Sequence, residues 1–261
     1  MPAHFLRHLT HRQRTRRTNL QLGALLAFVA GAVNAGGFLA VQRYTSHMSG
    51  IVSGMADSLV LGEVLEAAGG LCLVLSFVCG AASTSLLVNW GRRRSLHSQY
   101  ALPLLLEAAL LLVFGVLGAS LQSMVEVLVP STALLLCFLM GLQNATITKV
   151  SQAEIRTTHM TGVITDLGIE LGRLLYWNRS EEANARHRVL ANRGKLAVHL
   201  TIVGLFFVGG VVGAIAFKHV GYSATVPLAA VLLTLASPPL LRDLRRWQAL
   251  RGVFRRATAD R

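Results

Sequence analysis

A chain of 261 residues with 53% hydrophobic and 14% charged residues and a mean hydropathy of +0.53 lies outside the range of soluble domains and reads as an integral membrane protein. Its 25 Lys and Arg against 12 Asp and Glu give +13, but the cations gather beside apolar runs, so membrane orientation and anionic lipid explain them better than nucleic acid. Cys72, Cys79 and Cys137 fall inside apolar stretches without a C-x-x-C or His-rich neighbour, which argues against a disulfide framework or a zinc site.

A hydrocarbon core of roughly 30 Å needs about 20 apolar helical residues. Residues 1–19 form a basic arm with Arg7, Arg12, Arg14, Arg16 and Arg17, and the first span runs from Leu20 to Val41. That run is too long for a typical signal-peptide core, and it shares residues with later parts of the chain, which also argues against a transit sequence. A shorter segment, Gly50 to Leu65, carries Asp57 and Glu63; the second span, Gly69 to Trp90, ends at Arg92, Arg93 and Arg94. The third, Ala101 to Ala119, holds an acid, Glu107. Residues 120–130 form an external loop before the fourth span, Thr132 to Val150. A second short segment, Gly162 to Leu175, carries Asp166, Glu170 and Arg173. The fifth and sixth spans are Leu196 to Phe217 and Tyr222 to Leu241, and residues 242–261 form a basic tail. Six spans leave only Arg43 and Lys218 among the cations of the outer segments; counting both short segments as full spans would place Arg92 to Arg94 outside. Both termini are therefore expected in the cytoplasm.

The chain repeats itself. Gly31-Ala-Val-Asn34-Ala35 resembles Gly141-Leu-Gln-Asn144-Ala145, and Thr45-Ser-His47-Met-Ser-Gly50 resembles Thr157-Thr-His159-Met-Thr-Gly162, at offsets of 110 and 112 residues. Phe77-Val-Cys-Gly80 then pairs with Phe207-Val-Gly-Gly210, and Tyr100 to Pro103 with Tyr222 to Pro227. Two units, 20–119 and 131–241, each hold three spans and one short segment. Three crossings reverse the chain, so the second unit enters the membrane upside down. The fold expected is an all-α membrane protein with six transmembrane helices as an inverted 3+3 repeat, each half with a short interrupted or re-entrant amphipathic segment.

These paired motifs, Gly-x-x-Asn-Ala and Thr-x-His-Met-(Ser/Thr)-Gly, resemble those of the YoaK-type family of bacterial membrane proteins, a domain of unknown function, over roughly Leu20 to Leu241. The resemblance implies a bacterial inner-membrane location and a fold of about six spans, but no reaction. The chain departs from the family pattern at Ile51 and Val163, where Asn is frequent.

Polar groups inside a bilayer are costly unless paired, so those that recur at equivalent places mark a candidate pathway: Asn34, His47, Ser49, Asn144, His159 and Thr161, with Glu107 added as an intramembrane acid. Thr45 or Ser46, and Thr157 or Thr158, are placed to cap short helices starting near Ser49 and Thr161, whose N-terminal N–H groups suit a polar or anionic solute. The histidines titrate near neutral pH and suit proton coupling. The competing reading makes the same groups interhelical hydrogen bonds, with Glu107 snorkelling towards Arg92 to Arg94 and the acids of the short segments forming a solvated face in which Glu170 pairs with Arg173. No Gly-x-Ser-x-Gly elbow, His-Glu-x-x-His helix or Walker A loop is present, so an enzyme is not expected. The reading is an inner-membrane protein moving a small polar solute as a secondary transporter or channel. A non-transporting scaffold or regulatory subunit is the alternative, and a membrane-embedded enzyme ranks below it. The partners expected are the lipid bilayer, including anionic lipids, and a small polar or anionic solute with protons, without nucleic acid, metal or cofactor; a homo-oligomer stays open.

Overall fold

The computed structural model describes residues 16–120, 125–151, 157–176 and 189–259, with side chains described from 18 to 248 within those ranges, except at residue 125. The basic arm before residue 16 and the basic insertion at 177–188 lie outside the described residues. Eight α-helices follow in order: α1 (Arg16–Val41), α2 (Met48–Val60), α3 (Val64–Arg93), α4 (Ala101–Ala119), α5 (Val125–Val150), α6 (Met160–Leu175), α7 (Arg193–Val220) and α8 (Thr225–Ala259). No strand occurs among the described residues.

Five stretches are long and apolar enough to cross a membrane: Thr18–Val41, Val64–Arg93, Ala101–Ala119, Glu126–Val150, and a 56-residue stretch from Arg193 to Gln248. As one straight helix the last would reach about 84 Å, far beyond any bilayer. It is instead two helices, α7 and α8, separated at Gly221, whose φ of +68° is a conformation glycine adopts without strain, and by the 3-10 turn Gly221–Ala224.

Several expected boundaries move. The short segment of the first half is Met48–Val60 rather than Gly50 to Leu65, because Gly62, at φ +78°, turns the chain and α3 begins at Val64. Helix α5 begins at Val125, inside the expected 120–130 loop, and accommodates Pro130 near its start. Helix α8 continues through Pro238 and Pro239 to Ala259, so the part of the basic tail up to that residue is helical; its Arg, Leu and Ala residues favour this.

Glycines and small polar residues set the packing. A Cβ on Gly31 would collide with the carbonyl oxygen of Phe206, and one on Gly209 with that of Phe28; further along, Gly213 lies on Ala32 and Gly36 on the Phe217 ring. These contacts advance together, so α1 and α7 run parallel. The same arrangement recurs between α3 and α5: Gly80 lies under the Phe138 carbonyl and Gly141 under that of Phe77. Ser76 Oγ donates to the Leu134 carbonyl at 2.7 Å and Thr84 Oγ1 to that of Leu142 at 2.8 Å, so this pair is also parallel. Backbones approach this closely only where no side chain intervenes. The repeated geometry equates Phe77 and Gly80 with Phe206 and Gly209, one residue before the pairing read from the sequence.

Helices α1 and α5 run in opposite directions, since Gln143 Nε2 donates to the Leu26 carbonyl at 3.3 Å while Gly37 lies against Leu136. Helices α4 and α8 are antiparallel too. Gly118 faces Tyr222 at one end, and at the other Asp243 accepts hydrogen bonds from the backbone N–H groups of His97 and Ser98 at 3.1 and 2.9 Å. The core between these pairs is apolar, with Leu26, Leu104, Phe114 and Leu139 fully buried. Leu75, Leu86, Val116, Phe207 and Ile215 remain exposed on the outer faces, as a lipid-facing surface requires.

Candidate functional site

After α1 the chain turns at Gln42, whose φ is +54°, and folds back along the helix. Tyr44 stacks on Phe38 with ring centroids 4.7 Å apart, and Ser46 Oγ donates to Asn34 Oδ1 at 2.8 Å. Asn34 lies seven residues, or about 10 Å, before the end of α1. Helix α2 therefore starts beside the body of α1 rather than beyond its end.

Both short helices begin in the same way. Their N-cap residues are His47 and His159, neither of which supplies a side-chain cap, and the helices start at Met48 and Met160. This corrects the expected threonine and serine caps: Thr45 and Thr157 are buried behind the turn, and Ser46 spends its hydroxyl on Asn34. The His47 ring lies over Gly50 and the His159 ring over Gly162, where a Cβ would strike it. The conserved spacing of the two motifs thus has a steric meaning: the glycine is the seat of the histidine ring. Ser49 and Thr161, in the first turns, are exposed.

The expected site residues do not line one cavity. A groove of about 490 Å³, open to the surface, is walled by Asn34 and Tyr44 of the first half and by Met160 and Ile164 at the start of α6, with Phe206 and Gly210 of α7 behind. A separate groove of about 350 Å³ lies between α2 and α3 and is lined by His47, Arg43, Gly54, Ser58, Glu66 and Gly70. Arg43 and Glu66 pair across it at 3.4 Å. Asn144, the counterpart of Asn34, has its Oδ1 buried without a hydrogen-bond partner, and His159 is exposed beside the start of α6.

The counterpart of the second groove is filled. With the register given by the histidines and by Gly80 and Gly209, Gly54 corresponds to Asp166, Glu66 to Lys195 and Gly70 to His199. Asp166 Oδ2 lies 3.4 Å from Lys195 Nζ and 3.8 Å from His199 Nε2, and His199 is only 5% exposed. One turn on, Glu170 pairs with Arg173 at 2.9 Å, as expected, and also accepts the Asn192 backbone N–H at 2.7 Å. Glu170 is buried, so this part of α6 is a latch onto the start of α7 rather than the solvated face expected. Lys195 and His199 were missed in the sequence. Two basic groups four apart at the head of an apolar helix, following an acid pair four apart, were the available signal.

Glu107 does not snorkel. It is completely buried in α4 and faces Gln143 of α5, yet neither carboxyl oxygen reaches hydrogen-bond geometry.

Long apolar helices that cross at close glycine contacts define a multi-pass helical membrane protein. The chain belongs to the family described as "Protein of unknown function (DUF1275)", which matches residues 22–237. It is similar to the UPF0700 transmembrane protein YoaK of Bacillus subtilis (strain 168), with 27% identity over 190 residues covering 71% of this chain and 80% of that protein. No solved structure matches it. The resemblance carried by the paired motifs is therefore a family membership.

Proposed function

We propose that the chain crosses a bacterial inner membrane six times, with both termini cytoplasmic, as two inverted halves that move a small polar solute as a secondary transporter or channel. Helix directions support the crossing number. If α2 and α6 both crossed fully, three crossings would lie between α1 and α5 and the two would run parallel, whereas their contacts are antiparallel. With both short helices re-entrant, two crossings lie between α1 and α5, which makes them antiparallel, and the parallel pairs α1 with α7 and α3 with α5 follow as well.

The observation that carries the transport reading is the 490 Å³ groove, because it draws Asn34 from one half and the first turn of the short helix from the other. Asn34 lies about 7 Å from the centre of its span, near the midplane where inverted-repeat transporters place their sites. The glycine-lined groove at His47 and the ion-paired latch at Asp166 make the two ends unequal, which fits a state open on the outer side and closed on the cytoplasmic side. No catalytic step enters this reading, and we treat the protein as a non-enzyme.

The test is flux. Purified protein in liposomes is mixed with glycerol, glycine or lactate gradients at two pH values, and vesicle volume is followed by light scattering. Faster equilibration of one solute than in empty vesicles, lost in Asn34→Leu, is expected; equal rates throughout would sink the proposal. A second reading, a scaffold that seats a partner helix in the groove, draws on the otherwise apolar wall and on Asn34 being already bonded to Ser46. It predicts no flux and a crosslink from Ile164→Cys to a partner chain.

A further inference from the structure

Glu107 and Gln143 together have an unmet requirement that one atom satisfies. Both carboxyl oxygens of Glu107 and Oε1 of Gln143 are buried acceptors without a donor, while Gln143 Nε2 is used on the Leu26 carbonyl. Both side chains have no solvent exposure. An ionised carboxylate here would be an unpaired charge in an apolar interior, among the most costly arrangements a protein can hold. Among the described residues no Lys, Arg or His pairs with it, since the ion pairs of α4's neighbours, His97 with Asp243 and Arg43 with Glu66, are made at the ends of the helices. A proton on Glu107 removes the charge and supplies a donor beside the Gln143 side chain, whose Oε1 lacks one.

The repeat shows that packing alone does not require these two residues. With Asn144 matched to Asn34, Gln143 corresponds to Val33; with Pro103 matched to Pro227, Glu107 corresponds to Val231. Buried positions agree with this register, Ala101, Ala108 and Leu111 matching Thr225, Leu232 and Leu235. Valines serve both equivalent positions, Val33 within the core and Val231 packed against it. The polar pair joins α4 of the first half to α5 of the second, and Glu107 lies about 5 Å from the centre of α4.

We propose that Glu107 is a proton-binding site in the core of the bundle, carrying a proton at neutral pH and donating it in a hydrogen bond to Gln143. This stands apart from the transport reading, which flux measurements decide. The experiment is infrared spectroscopy of the full-length protein in lipid at pH 7, comparing wild type with Glu107→Gln. The expected result is a carboxylic-acid C=O stretch present in wild type, lowered in frequency in D2O and absent from Glu107→Gln. Gln143→Leu should keep the band and raise its frequency, because the carboxylic acid loses its acceptor; this variant also serves if Glu107→Gln does not fold. Carboxylate bands in place of the acid band, or an acid band unaffected by both variants, would overturn the proposal.

Discussion

Single glycines decide how closely this bundle closes. At Gly31 the obstacle to a side chain is a backbone carbonyl, which cannot rotate away, so Gly31→Ala forces α1 and α7 apart. We expect a loss of about 1–3 kcal/mol, the usual cost of overpacking, read as a lower unfolding midpoint in detergent. Gly141→Ala, against the Phe77 carbonyl, should match it, while Gly54→Ala, with open space around it, should leave the midpoint unchanged. The hydrogen bond from Ser46 to Asn34 ties the fold-back segment to α1. A double-mutant cycle of Ser46→Ala and Asn34→Ala should give a coupling of about 0.6 kcal/mol, typical inside membranes; additivity would show that the segment is held by Tyr44 on Phe38 instead. The recurrence of Asn, His and Gly was visible in the sequence because duplication keeps spacing. What each does was not, since two identical motifs can meet different neighbours: Asn34 found Ser46, whereas Asn144 keeps an unpartnered oxygen.

Among the elements, the two short helices share a beginning and differ in their anchorage. Helix α2 buries none of its residues and leaves Val52, Leu59 and Val60 exposed, while α6 buries Val163 and Glu170 and is fastened to α7 through Asp166. The ion pair of Asp166 with Lys195 is exposed at its outer side and contributes little by itself; its effect comes from acting with Glu170 and the nearly buried His199. Asp166→Asn should therefore loosen α6 without unfolding the protein. In a background lacking Cys72, Cys79 and Cys137, a cysteine at Ile164 should react with an impermeant maleimide faster from the cytoplasmic face when Asp166→Asn is added. The paired exchange Asp166→Lys with Lys195→Asp should restore the slow rate. Unchanged labelling in Asp166→Asn would mean that the latch holds nothing. The sequence placed acids and bases on these elements by helical spacing, but their pairing depends on how α6 meets α7, and periodicity along one helix carries no information about the next.

The proposed arrangement rests on an odd number of crossings in each half, which charge and helix direction support independently. Six spans are expected from the sequence because they sort positive charge to one face, and the structure gives antiparallel α1 and α5 through Gln143 on Leu26 and Leu136 on Gly37. Helix ends blurred in the sequence, as at Val64 and Val125, because hydropathy fades gradually where a helix leaves the membrane while its hydrogen bonds continue. A six-crossing chain puts the α1–α2 turn and the α7–α8 turn outside and the α3–α4 turn inside; an eight-crossing chain puts the α3–α4 turn outside. Single cysteines at Arg43, Ser95 and Lys218 in the cysteine-free background separate the two. With intact cells and an impermeant maleimide, we expect labelling at Arg43 and Lys218, and at Ser95 only after the membrane is opened. Labelling of Ser95 together with Arg43 in intact cells would overturn the six-crossing arrangement. Labelling of Ser95 with Arg43 and Lys218 protected would instead keep six crossings in the opposite orientation, and would reverse the assignment of the His47 groove as the outer mouth.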